Sequence, residues 1–261
     1  MSQGELIMLL VHLGVAGFTW FSMLRPFTTV SPLRESRGTG AGVVLGMGLF
    51  ITVGMVAALQ AWAASDVRGT IYLPWYVLMG LAWVGGAIQF LLPWTGLSLR
   101  DDGAERRNPA ALVAIAGAML GLALAFTGGN FGDGPGWWVV AVCGVLSMGG
   151  LLLAWVVSAV ISGAAYRITV GRDRAVAWRT AGLLVGAGLV LGRAVAGDWV
   201  SGPATWRDFV ELGWVVLPAA VVEGVLTRVE TPGRDWMLMG ALPALVYLGL
   251  ATAYVVEIGW W

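Results

Sequence analysis

Eight apolar runs divide the chain, at roughly 6–24, 41–62, 74–98, 109–127, 137–161, 175–196, 206–227 and 236–258. Each is close to the stretch of about 20 residues that carries a helix across the hydrocarbon of a bilayer. The connections are short and rich in Gly, Pro, Asp and Arg, as in TGGNFGDGPGWW and RVETPGRDW, residues that stop helices and open turns. The pattern predicts an all-α fold: a polytopic membrane helical bundle of about eight transmembrane helices, forming a single transmembrane domain over residues 1–261. The first run has no basic segment before it, so it reads as a retained helix and not as a cleaved leader.

The polar positions are as patterned as the apolar ones. The loops after the first, third, fifth and seventh helices hold Arg25, Arg34, Arg37, Arg100, Arg106, Arg107, Arg167, Arg172, Arg174, Arg228 and Arg234, whereas the loops after the second, fourth and sixth hold only Arg68 and Arg207. Basic residues stay on the cytoplasmic side during insertion, so the odd-numbered loops are expected in the cytoplasm and both termini outside. Trp62, Trp75, Trp137, Trp138, Trp199, Trp206, Trp260 and Trp261 then gather at the outer interface, where indole rings are at home.

An arginine also precedes or opens every even-numbered helix: Arg37, Arg107, Arg172 and Arg234, at spacings of 70, 65 and 62 residues. A shift of 65 lays NPAALVAIAGAMLGLALAFTGG (108–129) over DRAVAWRTAGLLVGAGLVLGRA (173–194), matching Asn108 with Asp173, Gly117 with Gly182 and Gly121 with Gly186. A regular period of this kind indicates a repeated structural unit. The expected copies of a helical hairpin are 5–63, 72–128, 136–198 and 205–261, the middle two being the clearest.

The opening Asn108-Pro109-Ala110, the mid-helix pairs Ala116-Gly117 and Ala181-Gly182, and the Gly- and Leu-rich exits resemble the YjfL-like bacterial membrane-protein family, best over about 100 to 200. That family is a domain of unknown function with two helices per copy, so the resemblance implies a bacterial inner-membrane location and no particular reaction. Asp173 stands where the family pattern has Asn, and the first and last copies lack the opening residue.

Within the sixth helix, Arg179, Gly182, Gly186, Val190 and Arg193 fall on one stripe at about 100° per residue. The two guanidinium groups lie about 21 Å apart along the axis, one near each interface. The sister stripe in the fourth helix is Ala114, Gly117, Gly121, Ala125 and Gly128, small throughout. Glycines four residues apart let helix backbones approach closely, so both stripes read as helix-packing seams. Gly42 and Gly46 suggest a similar seam in the second helix. The arginines either snorkel to water or meet carboxylates on a neighbour.

Helix seven supplies Glu211 and Glu223 at depths matching Arg193 and Arg179. The candidate intramembrane polar site is therefore Arg179, Arg193, Glu211, Glu223 and His12, with Arg193–Glu211 the preferred pair. Twelve residues separate the two glutamates, about 120° on a straight helix, so both could face helix six only if Pro218 bends the segment. His12 reads first as a satisfied packing residue and second as a proton relay. Asn108 and Asp173 read as helix caps, with Pro109 at the first helical position. Asp198 and Arg207 read as a solvated loop.

Composition narrows the functional classes. The chain is 58% hydrophobic and 11% charged, its fifteen cations are all arginine, and its formal net charge is zero. No basic patch exists to neutralise phosphates, so nucleic acid is excluded as a partner. The single Cys143 excludes a disulfide framework, and the single His12 excludes a bis-histidine haem. No grouping of nucleophile, base and metal ligands stands out, so neither a catalytic site nor a cofactor is expected. The sequence points to a non-enzymatic membrane scaffold or complex subunit, whose partners are the lipid bilayer and other subunits or further copies of itself. A transporter or channel lined by Arg/Glu pairs is the alternative, and a membrane enzyme the third.

Overall fold

The computed structural model describes residues 2–28, 40–229 and 235–259, leaving Arg34, Arg37, Arg234, Trp260 and Trp261 outside the described part. The fold is all-helical, and among the described residues eight helices are long and apolar enough to cross a membrane: Gln3–Thr28, Gly40–Trp62, Tyr72–Thr95, Pro109–Gly128, Trp137–Ser162, Arg174–Ala194, Gly202–Val229 and Met237–Glu257. These are called the first to eighth spans. A short helix, Ala164–Thr169, lies between the fifth and sixth.

Three spans are irregular, and proline accounts for each. A proline has no N–H to give the carbonyl four residues back, and its ring collides with that carbonyl. Pro93 follows a π turn at Ala87–Leu91 and sits in a 3₁₀ turn at Leu92–Thr95. Pro243 follows a π turn at Met237–Ala241. Pro218 deprives Trp214 O of its partner, and the seventh span breaks there into Gly202–Gly213 and Val216–Val229. The bend expected at Pro218 thus takes the form of a two-residue turn, at Trp214 and Val215, within one span.

The spans form two layers, each of parallel helices, with the layers antiparallel to one another. The even layer runs second–fourth–sixth–eighth, and the interface between the fourth and sixth spans is the largest in the molecule. In the odd layer, Trp20 Nε1 donates to Leu81 O at 3.0 Å, joining the first span to the third. Trp155 Nε1 donates to Thr95 Oγ1 at 2.7 Å, joining the fifth to the third. Gly224 of the seventh span rests on Ile161 and Ser158 of the fifth. Between layers, Ser147 Oγ donates to Ala125 O at 3.0 Å. The core lies where the middle spans of the two layers meet: the fourth and sixth are the most buried, at 78% and 83% of their apolar stretch, followed by the third at 61% and the fifth at 50%, against 22% for the second and 17% for the eighth.

The seam in the fourth span is present, and its partner is the sixth. Ala114 and Ala125 are fully buried, and a Cβ on Gly117, Gly121 or Gly128 would fall within 3.0 Å of Ala181, Leu184 or Gly192 backbone respectively. The same interface recurs one step along, where a Cβ on Gly182 would press into Ala244 and one on Gly186 would crowd Tyr247 O. Gly182 and Gly186 thus face the eighth span, whereas the opposite face of the sixth receives the fourth. The second span departs from expectation. Gly42 and Gly46 have open space around them, and its buried stripe is Val44, Ile51, Met55 and Leu59.

Local details recur at the same period. Arg107 and Arg172, at φ 49° and 52°, are the non-glycine residues with left-handed backbone among those described. Each immediately precedes a capping residue. Asn108 accepts from the N–H of Ala110 and Ala111, and Asp173 accepts from that of Val176. The backbone closes the same wide turn twice, Asn108 N to Asp102 O and Asp173 N to Arg167 O, both at 3.0 Å. A left-handed non-glycine residue costs about 1–2 kcal/mol, and here the turn and cap bonds around it offset that. At the other end, Gly197 N donates to Phe131 O at 2.9 Å and Trp199 N to Asp133 O at 2.8 Å, tying successive loops together. The tryptophans divide. Trp62, Trp138 and Trp206 are exposed at this end, whereas Trp75 packs completely buried against the protein core.

Candidate functional site

Arg179 stands one and a half turns into the sixth span, its neighbours forced inward by the glycine contacts on both sides. Its Nε donates to Glu223 Oε1 at 2.8 Å and its terminal nitrogen to Oε2 at 2.7 Å, a two-pronged pair between the sixth and seventh spans. Both side chains are almost fully buried, at 7% and 2% exposure. Arg179 and Glu223 thus pair at the matched depth expected from the sequence, and the turn before Pro218 separates the half of the seventh span that carries Glu223 from the half that carries Glu211.

Two further donors complete the carboxylate. Thr227, one helical turn beyond Glu223, donates from Oγ1 to Oε1 at 2.6 Å. Tyr247 of the eighth span donates from its hydroxyl to Oε2. Glu223 therefore accepts four hydrogen bonds from three spans. The network continues outward, because Arg167 donates to Thr227 O and holds Asp173 Oδ2 at 2.7 Å. Asp173 is thus a cap and an ion-pair partner together.

Moving an isolated charge out of water costs several kcal/mol, and a charged pair is tolerated when geometry and extra hydrogen bonds compensate. Here one positive and one negative group meet in bidentate register, the strongest form of the Arg–carboxylate contact. No Glu223 oxygen is left facing an open path. Beside the network lies an apolar cleft of about 370 Å³, lined by Val190, Pro218, Val222, Tyr247, Leu250 and Tyr254 among others. Tyr247 is common to both: its ring lines the cleft and its hydroxyl closes the charge pair.

The other candidate residues do not join this site. Arg193 does not pair with Glu211, so the preferred ion pair is corrected. Arg193 Nε donates to Gly259 O at 2.6 Å, at the far end of the eighth span, and Glu211 is exposed on the half of the seventh span that precedes the break. The physical reason is azimuth: once Glu223 points inward, a residue 12 positions earlier on an interrupted helix has no reason to share its face. The expected neighbour of the glycine stripe changes with it, from the seventh span to the eighth, while Arg179 bonds Glu223 of the seventh. His12 is distant from the pair. It is 7% exposed, and its Nδ1 lies 2.7 Å from Met8 O, which makes that nitrogen the donor. It lines a separate apolar cleft between the first, third and fifth spans.

Thr227 and Tyr247 were not among the sequence candidates. Thr227 had a signal, because a hydroxyl four residues from a buried glutamate shares its helix face. Tyr247 had none beyond being a polar-tipped aromatic in the last span. Among the described residues, no group of three His, Cys, Asp or Glu could hold a metal ion. Comparison with protein-family models, curated proteins and solved structures finds no match for this chain, so the resemblance noted above rests on its quoted residues alone.

Proposed function

We propose that the chain is a non-enzymatic membrane scaffold, or a subunit of a membrane complex, in which four successive copies of one helical hairpin are held by a buried charged clamp. The observation that carries this reading is the closed coordination of Glu223: four donors occupy its two oxygens. A carboxylate that moved ions or protons along a path would need a face open to the next carrier. This one serves as a strut joining the sixth, seventh and eighth spans.

The repeat reading draws support from bonds that join residues about one period apart. Trp20 meets Leu81, Asn108 meets Ile168, Asp133 meets Asp198, Arg172 meets Arg106 and Arg193 meets Gly259, at separations of 60 to 66 residues. Each hairpin packs on the next in the same orientation, so the copies are parallel and make a row, not an inverted pair around a midplane site. Both ends of the row are uncovered: Leu45, Leu49 and Val53 on the second span, and Leu245 and Leu250 on the eighth, are exposed. Lipid covers these faces in the bilayer, and further copies or other subunits have room to dock there. We assign the location to a bacterial inner membrane, with the odd-numbered loops cytoplasmic and both termini outside, on the arginine distribution.

The test is reconstitution of the purified protein in liposomes. The scaffold reading expects no charge-dependent flux of common ions above protein-free liposomes. Flux that disappears in both Glu223→Gln and Arg179→Ala would replace it with the transporter reading.

A further inference from the structure

We propose that the end of the bundle opposite the clamp carries a binding site for a small organic ammonium ion, in the cavity beneath the loops that follow the second, fourth and sixth spans. The cavity measures about 230 Å³. Its mouth holds the carboxylates of Glu5, Asp66 and Asp133, and its floor includes Asn130, Tyr76 and Val140. Among the described residues, no arginine or histidine lines it. Asp66 and Asp133 are exposed, while Asn130 and Tyr76 are buried.

The independent observation is the floor. Asn130 is 5% exposed, and its Nδ2 donates to Phe126 O at 2.8 Å. That bond fixes the amide orientation and leaves Oδ1 as a buried acceptor without a partner among the described residues. Buried acceptors are ordinarily satisfied, so this one calls for a donor arriving through the cavity. The carboxylates above it call for positive charge, and the rings of Tyr72 and Tyr76 offer faces that attract cations. An ammonium group supplies donor and charge in one atom.

A bare metal ion fits less well. The carboxylates rim the mouth without converging, and no three acidic, histidine or cysteine side chains among the described residues could hold a metal. The volume also exceeds what one ion requires, whereas Val139 and Val140 can pack against a short alkyl chain. In the resulting pose the ammonium N–H donates to Asn130 Oδ1, its charge faces Asp66 and Asp133, and its carbon end lies against the valines. This site is independent of the clamp and of the scaffold reading.

The experiment uses the full chain in maltoside micelles, which contain no amine of their own. Ethylammonium, tetramethylammonium and sodium chlorides are titrated at constant ionic strength. Tryptophan fluorescence, with Trp199 at the cavity wall, and the thermal unfolding midpoint are both read. The proposal expects a saturable response to ethylammonium and none to sodium. Tetramethylammonium has the same charge but no N–H, so it should bind about 10-fold more weakly or worse. Asn130→Leu should cause a comparable loss. Because that variant alters a buried residue, the exposed double change Asp66→Asn with Asp133→Asn is the second arm. It should weaken ethylammonium several-fold while leaving the ligand-free midpoint unchanged. A non-saturable response, equal affinity for the two ammonium ions, a saturable response to sodium, or rim variants that bind normally would each overturn the assignment.

Discussion

Replacing Arg179 with leucine removes one half of the clamp and leaves the other half buried. Glu223, 1% exposed, then keeps only the Thr227 and Tyr247 hydroxyls. Two charge-assisted bonds are lost, at about 1.5–3 kcal/mol each, and leaving one buried charge uncompensated is expected to cost about 3–5 kcal/mol in all. Glu223→Leu should cost a similar amount by stranding Arg179. The double variant separates a clamp from two unrelated defects. With both charges gone, two apolar side chains occupy the space, a change that is often near neutral. What remains is two hydroxyls without their shared acceptor: Thr227 can turn to the carbonyl of residue 223 on its own helix, whereas stranding Tyr247 costs about 1–3 kcal/mol, most of which adding Tyr247→Phe should recover. Unfolding in mixed detergent micelles by a graded anionic detergent gives all four stabilities on one scale. The reasoning predicts a double variant more stable than either single, with a coupling energy of at least about 2 kcal/mol. If the two single effects simply add, Arg179 and Glu223 do not act as a unit and the clamp is refuted.

The same unfolding assay checks the packing and the caps. Gly117→Ala puts a Cβ against Ala181 and should cost about 1–3 kcal/mol by overpacking. Gly249→Ala, where nothing lies within 4 Å, should be neutral or gain up to about 1 kcal/mol of helix propensity. Asn108→Ala removes a cap and also the bonds from Nδ2 to Ile168 O and Thr169 O, so its cost should reach about 2–3 kcal/mol, above that of a cap alone. Exchanging charges in Arg193→Glu with Glu211→Arg should give no rescue over the single changes, because Arg193 bonds Gly259 O instead.

Helix number and the buried pair were legible because both depend on one coordinate, depth in the bilayer. Apolar length locates a span, and equal distance from an interface brings Arg179 to Glu223. The bond from Arg193 to Gly259 O was not legible: its acceptor is a backbone carbonyl, which every residue carries, so no side chain marks it. Which helix a glycine stripe faces was equally hidden. Gly182 and Gly186 announce a close neighbour, but the eighth span answers them with Ala244, Tyr247 and Ala251, of which only the alanines look like a seam. Gly42 and Gly46 show the converse, since small residues also sit at open surfaces where nothing approaches. Trp75 belongs to the same lesson. A tryptophan near a helix end suits an interface, yet tertiary packing buries this one completely.

The central claim, that the polar centre is a closed strut and not part of a water-filled path, can be read from the reactivity of one thiol. Thr227 is 1% exposed and touches Glu223 Oε1, so Thr227→Cys in a Cys143→Ser background places a probe against the clamp with the ion pair intact. Membrane-impermeant methanethiosulfonate reagents are applied to each side of the reconstituted protein. The account predicts no modification from either side until the protein is unfolded. Rapid labelling of folded protein from either side would contradict it.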